Sequence, residues 1–300
     1  MTLVSILIAL ALDRILLWHR DAPVARAWRW LVDAIARRLP TGWEGMGAVI
    51  AIILPGALVV ALLQWLVSGW LFGLLSLILG VVVLLFALGP LDVVSSVDEY
   101  IEARDKNDTE RSDFHYASLT GETRTTTGRD GDRIVGAILH QVHDHFFATV
   151  FWFCVLGPLG AALYRLSAEA ALQPPESIAS RPALARAARD AAGVLGWIPA
   201  RLLALGYALT GSFEAAMQRL RMHPQPAGDW LTNNQELLAA TGSAALAPED
   251  AERTADGTQE SGHAGVTAAS QVAAARALVM RTVILWLAVL ALLTLVGWLT

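Results

Sequence analysis

Twenty-two consecutive residues, Met46–Val67, pass without a charged side chain, and a segment of that kind has few places to go. As a helix it measures about 33 Å, enough to cross the roughly 30 Å hydrocarbon core of a bilayer. Trp70–Leu91 repeats the pattern after only Ser68 and Gly69, two residues of turn chemistry. Backbone N–H and C=O groups find no water inside lipid, so such runs must be helical. The spacing predicts an antiparallel hairpin over 46–91, with Trp65 and Trp70 at one lipid–water boundary. Across all 300 residues, 55% are hydrophobic and 16% charged, where soluble domains hold roughly a quarter charged. The chain is therefore expected to be an all-α, polytopic integral membrane protein, with four to six membrane helices and a cytoplasmic helical module.

Phe146–Leu166 reads as a third span, kinked at Gly157-Pro158-x-Gly160, because proline removes a backbone donor and glycine admits close helix approach. Ala277–Leu299 reads as a fourth, making 277–300 a C-terminal anchor. Residues 1–18 lack a basic leader and a small-x-small cleavage site and carry Asp13-Arg14; they are expected to be a retained membrane helix rather than a signal peptide. Val194–Phe213 is interrupted by Pro199 and Arg201, so it is either a full span or a membrane-embedded half-helix. Region 139–221 thus combines one membrane helix with a second, spanning or re-entrant, segment.

Three polar stretches remain. Residues 19–45 place Arg20, Arg26, Arg29, Arg37 and Arg38 among Trp and Val, the pattern of a basic amphipathic helix lying on a membrane surface. Residues 92–138 hold 11 acidic and 6 basic side chains and predict a helix over Val93–Arg111 followed by a loop at Thr120–Asp132. Residues 222–276 predict a helix near Gln235 and a flexible linker of weak order. Arginine density assigns 19–45 and 92–138 to the cytoplasmic side of a bacterial inner membrane, since the 46–91 hairpin returns the chain to the side it left.

The composition also removes several function classes. Net charge is −5 and no basic face gathers, so nucleic acid is not an expected partner. Cys154 stands alone, which excludes an internal disulfide framework. Lys106 is the only lysine among 22 basic residues, and neither a Walker-type nor a dinucleotide-binding glycine motif is present.

Candidate chemistry concentrates at His140, His143 and Asp144. On a regular helix they stand at i, i+3 and i+4 and share one face, a spacing that suits a divalent metal or an interfacial polar cluster; His145 points elsewhere. Asp98, Glu99, Glu102, Asp105 and Asp108 form an acidic run that suits Mg²⁺ or a basic partner, while Arg104, Lys106 and Arg111 suit a solvated face of ion pairs. Asp13 and Arg14 point to different sides of their helix, so each calls for a partner from elsewhere. Arg201, at membrane depth, suits an anionic ligand or an interfacial position.

The runs Met1-Thr2-Leu3 with Leu12-Asp13-Arg14, Tyr100-x-x-Ala103-x-x-Lys106-Asn107-Asp108, Phe151-Trp152 with Gly157-Pro158-x-Gly160, and Trp197-x-Pro199-x-Arg201-Leu202 through Tyr207-Ala208-Leu209-x-Gly211 resemble the AmpE family. They stretch across about two-thirds of the chain. That family is similar to the membrane-bound cobalamin-biosynthesis proteins CobD and CbiB, which join an aminopropanol unit to cobyric acid. The synthase branch carries G-D-P and H-P-V elements where this chain has His19-Arg20-Asp21-Ala22-Pro23-Val24. It also carries an A-E-N-x-x-D run where this chain has Leu139-His140-Gln141-Val142-His143-Asp144, retaining only the aspartate. These departures favour the AmpE side.

The resemblance implies an inner-membrane regulatory accessory of peptidoglycan recycling and β-lactamase induction, with the lipid bilayer and an AmpD-like amidase as partners. The alternative is an integral-membrane ligase of the CobD kind. In that reading Asp13, Arg14, Asp144 and Arg201 converge on a cavity, and Mg²⁺ and ATP are the cofactors.

Overall fold

The computed structural model describes residues 2–16, 23–40, 42–67, 74–88, 108–120, 130–172, 174–222, 228–246 and 268–296, together with Val97, Glu99, Tyr100, Glu102, Ala103 and Lys106. The helices are α1 (Thr2–Leu16), α2 (Pro23–Arg38), α3 (Met46–Val67), α4 (Leu74–Leu88), α5 (Thr109–Thr120), α6 (Asp130–Val142), α7 (Ala148–Leu156), α8 (Pro158–Leu172), α9 (Glu176–Ala179), α10 (Pro182–Thr210), α11 (Phe213–Met222), α12 (Trp230–Ala245) and α13 (Ala268–Leu295). A π-helical turn, His143–Phe147, joins α6 to α7. No strand occurs among the described residues, and the chain is an all-α membrane protein. Helices α3, α10 and α13 are each long and apolar enough to cross a bilayer, and α1 and α4 carry shorter apolar stretches.

Residue size decides which helices meet. On α4, Gly80 lies against α1, where a Cβ would come within 3.2 Å of Ser5 Oγ, so α4 packs chiefly on α1, burying Ile6, Ala9, Val81 and Leu84. On α3, the buried side carries Ala48, Val49, Ile52, Ile53 and Ala57 and joins α2, α8 and α10 in a separate cluster. The two apolar helices read as a hairpin thus find their main partners elsewhere. Their predicted turn, Ser68-Gly69, and Trp70 lie outside the described residues, as do Asp98, Asp105 and most of the 121–132 loop.

Helix α2 differs from the expectation in what its apolar stripe touches. Val32, Ala36 and Leu39 are buried against α3, against Leu184 and Ala188 of α10, and against Ile178. The stripe is covered by protein, leaving Trp30, Arg37 and Arg38 on the outside.

The single kinked span expected over Phe146–Leu166 is instead two helices. Gly157 takes φ +69 and Pro158 opens α8 as its first residue, where its missing N–H costs nothing. The chain folds back so tightly that a Cβ on Gly160 would stand 2.2 Å from the Trp152 carbonyl oxygen. The new helix start has its own cap from another helix: Gln64 Oε1 of α3 accepts from Leu159 N at 3.1 Å, satisfying one of the donors a helix N-terminus leaves open.

Helix α10 runs unbroken through Pro199 and Arg201 for 29 residues. The helix expected near Gln235 is α12, and it lies inside the protein rather than in water: Leu231, Asn233, Asn234, Leu237, Leu238, Thr241 and Gly242 are buried, and a Cβ on Gly242 would reach 2.6 Å from Leu139 Cδ1 of α6. Small and amide side chains let it lie close to α6 and α10, although its polar composition resembles a surface helix. Residues 223–227 and 247–267 lie outside the described residues.

Asp229 caps α12. Its Oδ1 accepts from Thr232 N at 2.8 Å, and its Oδ2 accepts from Arg189 Nε of α10, also at 2.8 Å. Burial pushes its carboxyl up, but the bonds from Arg189 and Thr232 outweigh that and hold it below the ordinary 3.8. A lowered carboxylate adds stability that is present above the unfolded value and is lost as pH falls through the folded one. Asp229→Ala is therefore expected to cost about 1–2 kcal/mol at neutral pH. In thermal melts of detergent-solubilised protein, the difference from wild type should shrink once pH drops below about 4.

Candidate functional site: a buried His–Asp couple between two irregular helices

One covalent feature of the sequence and one irregular turn create unusual demands on the backbone, and the site is where they meet. Proline carries no N–H, so Pro199 leaves the Leu195 carbonyl, four residues back in α10, without its helical donor. The indole Nε1 of Trp152 on α7 fills that vacancy at 2.9 Å. One residue further on, the Gly196 carbonyl accepts from His143 Nε2 at 3.0 Å. One turn earlier, the Gly193 carbonyl accepts from Asn234 Nδ2 of α12 at 2.7 Å. Three points within one turn of α10 are thus tied to neighbouring elements.

His143 opens the π turn, in which Ala148 N donates to His143 O. The wider turn inserts one residue into the helical repeat after His143, and His140, His143 and Asp144 stay together around the Asp144 carboxyl group. His143 faces α10 and is wholly buried, as is Asp144 beside it. His143 Nδ1 lies 2.7 Å from Asp144 Oδ1, and Gln235 Nε2 of α12 donates to Asp144 Oδ2 at 2.8 Å. His140, one quarter exposed, brings its Nδ1 to 3.6 Å from the same Oδ2, just beyond hydrogen-bond range.

The proton inventory follows from the acceptors. A carbonyl oxygen can only accept, so Nε2 of His143 carries a proton toward Gly196. Nδ1 faces the Asp144 carboxyl group, so each buried polar group of the couple has a partner, as a site closed to water requires. Tyr164 of α8 meets the imidazole edge-on at a centroid distance of 6.4 Å.

With both ring nitrogens engaged, His143 turns no free lone pair toward a metal. Among the described residues no group of three or more His, Cys, Asp or Glu is placed to hold one. His145 points away, with Nδ1 at 3.4 Å from Arg165 Nη1, and Arg165 pairs with Glu169. Arg201 stays on its own helix: its guanidinium stacks 3.9 Å over the Trp197 ring and donates to the Trp197 carbonyl at 3.1 Å. Asp13 and Arg14 lie on α1, and their side chains are outside what the structure describes. In the acidic run, Glu102 pairs with Lys106 and Glu99 lies 3.4 Å from His115 Nδ1.

Sequence spacing pointed to His143 and Asp144 and missed Gln235, Asn234, Trp152 and the carbonyls they serve. Pro199 was the available signal for Trp152: a proline inside a buried helix calls for a foreign donor at residue i−4. Nothing local announced Gln235 and Asn234.

A bulged helix and a proline-containing one, joined through a buried His–Asp couple, define an all-α membrane protein with a closed polar centre. The chain belongs to the AmpE family: a family model described as "Regulatory signalling modulator protein AmpE" matches residues 1–300. Among curated proteins it is similar to "Cobalamin biosynthesis protein CobD" of Chromobacterium violaceum, 29% identical over 252 residues, which is 80% of this chain and 78% of that protein. It is also similar to the protein of the same name from Stutzerimonas stutzeri, 28% identical over 257 residues, covering 81% and 80%. No solved structure matches the chain.

Proposed function

We propose that this chain, a regulatory signalling modulator by family, acts at the bacterial inner membrane in peptidoglycan recycling and β-lactamase induction. Its polar segments 19–45 and 92–138 face the cytoplasm and meet a partner such as an AmpD-like amidase. The observation that carries this reading is the family match over residues 1–300, which spans all the helices around the His–Asp couple. The couple has a mechanical place in the proposal. It ties α6, which leads back toward the 92–138 segment, to α10 inside the membrane part, so a change at either end is felt at the other.

The test is induction of chromosomal β-lactamase by a sub-inhibitory β-lactam in a strain lacking this gene. Loss of the protein is expected to change the induced-to-basal activity ratio by several-fold, and wild type supplied in trans to restore it. An unchanged ratio sinks the proposal.

The ligase reading is favoured by one observation, the likeness to two proteins named for cobalamin biosynthesis over about four-fifths of both chains. Restoration of cobalamin-dependent growth in a strain lacking its own CobD, abolished by Asp144→Asn, decides for that reading; failure of the abundant wild-type protein to restore growth decides against it.

A further inference from the structure

We propose that the corner between α2 and α3 is a binding site for an anionic phospholipid, with its headgroup on Arg37 and Arg38 and its acyl chains along the outer face of α3.

The face comes first. Met46, Ile50, Leu54, Leu58, Leu62 and Leu66 recur every four residues and are all exposed, in a helix whose buried residues, Ala48 to Ala57, lie in its first half. Residues four apart neighbour each other along a helix while the row winds slowly round it, so they trace a continuous, exposed apolar strip along its length. Its ends are marked by exposed tryptophans, Trp43 just before the helix and Trp65 near its end. From Met46 to Trp65 the rise is about 28 Å, close to the hydrocarbon thickness of a bilayer. The ends of the strip therefore sit at the two headgroup levels, where tryptophan belongs.

Charge distinguishes the two ends. At the Trp43 end the last turn of α2 presents Arg37 and Arg38, both exposed, and Trp30 outward on the same helix. The connection to α3 is short and turned, with Trp43 N donating to Pro40 O and Ala48 N to Gly45 O, so the arginines stay at the head of the strip. Asp33 pairs with Arg37 and Glu44 lies in the connection; Arg38 is the principal anion contact and Arg37 the second. Because the apolar side of α2 is spent on protein contacts, this helix does not enter the lipid itself. It holds two cations where a phosphodiester lies. The adjoining acyl-length strip is what selects a phospholipid over a soluble phosphate compound.

The test uses the full-length protein in detergent, titrated with short-chain phosphatidylglycerol, with phosphatidylcholine of the same chain length and with inorganic phosphate, and read by the thermal unfolding midpoint. Phosphatidylglycerol is expected to raise the midpoint in a saturable way and phosphatidylcholine to do so far less. Arg38→Gln is expected to weaken phosphatidylglycerol about fivefold, and Arg37→Gln/Arg38→Gln further. Arg219→Gln/Arg221→Gln, on the exposed last turn of α11, is expected to leave it unchanged. These arginines are exposed, so the variants should melt like wild type without lipid. Equal shifts with the two lipids, an unchanged titration in the double Arg37/Arg38 variant, or the same shift with inorganic phosphate alone each overturn the proposal.

Discussion

Asp144→Ala is expected to destabilise the protein by about 3–5 kcal/mol, the cost of leaving one member of a buried pair without its partner. The substitution orphans Nδ1 of the wholly buried His143 and Nε2 of the part-buried Gln235. Truncation therefore loses more than one hydrogen bond's net worth, because the groups left behind stay desolvated. Asp144→Asn keeps the shape and one acceptor, so it should lose less. Replacing both members by apolar residues of similar volume, His143→Phe with Asp144→Leu, should recover a substantial part of the loss. Denaturant or thermal unfolding in one detergent, applied to all four proteins, reads the series. If Asp144→Ala unfolds within about 1 kcal/mol of wild type, His143 and Asp144 do not form a couple held in water-free surroundings.

Gly193→Ala is expected to disrupt folding more severely than Gly196→Ala, although both glycines lie on the same helix and both are buried. At Gly193 the added methyl would stand 2.3 Å from the backbone nitrogen of Leu231 and 2.4 Å from the carbonyl carbon of Trp230. Backbone atoms inside a packed helix cannot step aside, so α10 and α12 must separate, and the Asn234 bond to the Gly193 carbonyl goes with them. Overpacking of a core costs roughly 1–3 kcal/mol when side chains can shift, and this contact lies above that range. At Gly196 the nearest atom is Cε1 of His143 at 2.9 Å, a side chain able to retreat by bending its bond to the Gly196 carbonyl. The yield of monodisperse protein after solubilisation, followed by melting of whatever survives, ranks the two. Equal behaviour would mean that the backbones of α10 and α12 do not meet at Gly193.

Much of the fold could be read from the chain because lipid leaves a backbone so few choices. Met46–Val67 could only be a helix, and the structure has it with those limits. The same reasoning located the apolar cores of α4, α10 and α13. The break at Gly157-Pro158 was visible as a weak point, but a kink and a full reversal look alike in sequence. What separates them is whether another helix stands ready to cap the new start, and Gln64 does so from 95 residues away.

The sequence by itself determined where helices lie in lipid and where the backbone is left wanting, since a proline's missing N–H and a 22-residue apolar run are local, covalent facts. It marked His143 and Asp144 as polar residues beside an apolar stretch, and it set the orphaned carbonyl of Leu195. Only the tertiary structure decided what answers these demands. His143 reaches Gly196, 53 residues away, and Gln235 reaches Asp144 across 91. Trp152 fills the gap that Pro199 makes. The polar helix α12 is drawn into the core, where a surface position was the local expectation. Burial of a polar group is set by the donors and acceptors that distant helices bring to it, and hydrogen bonds formed across such separations leave no period or motif in the chain.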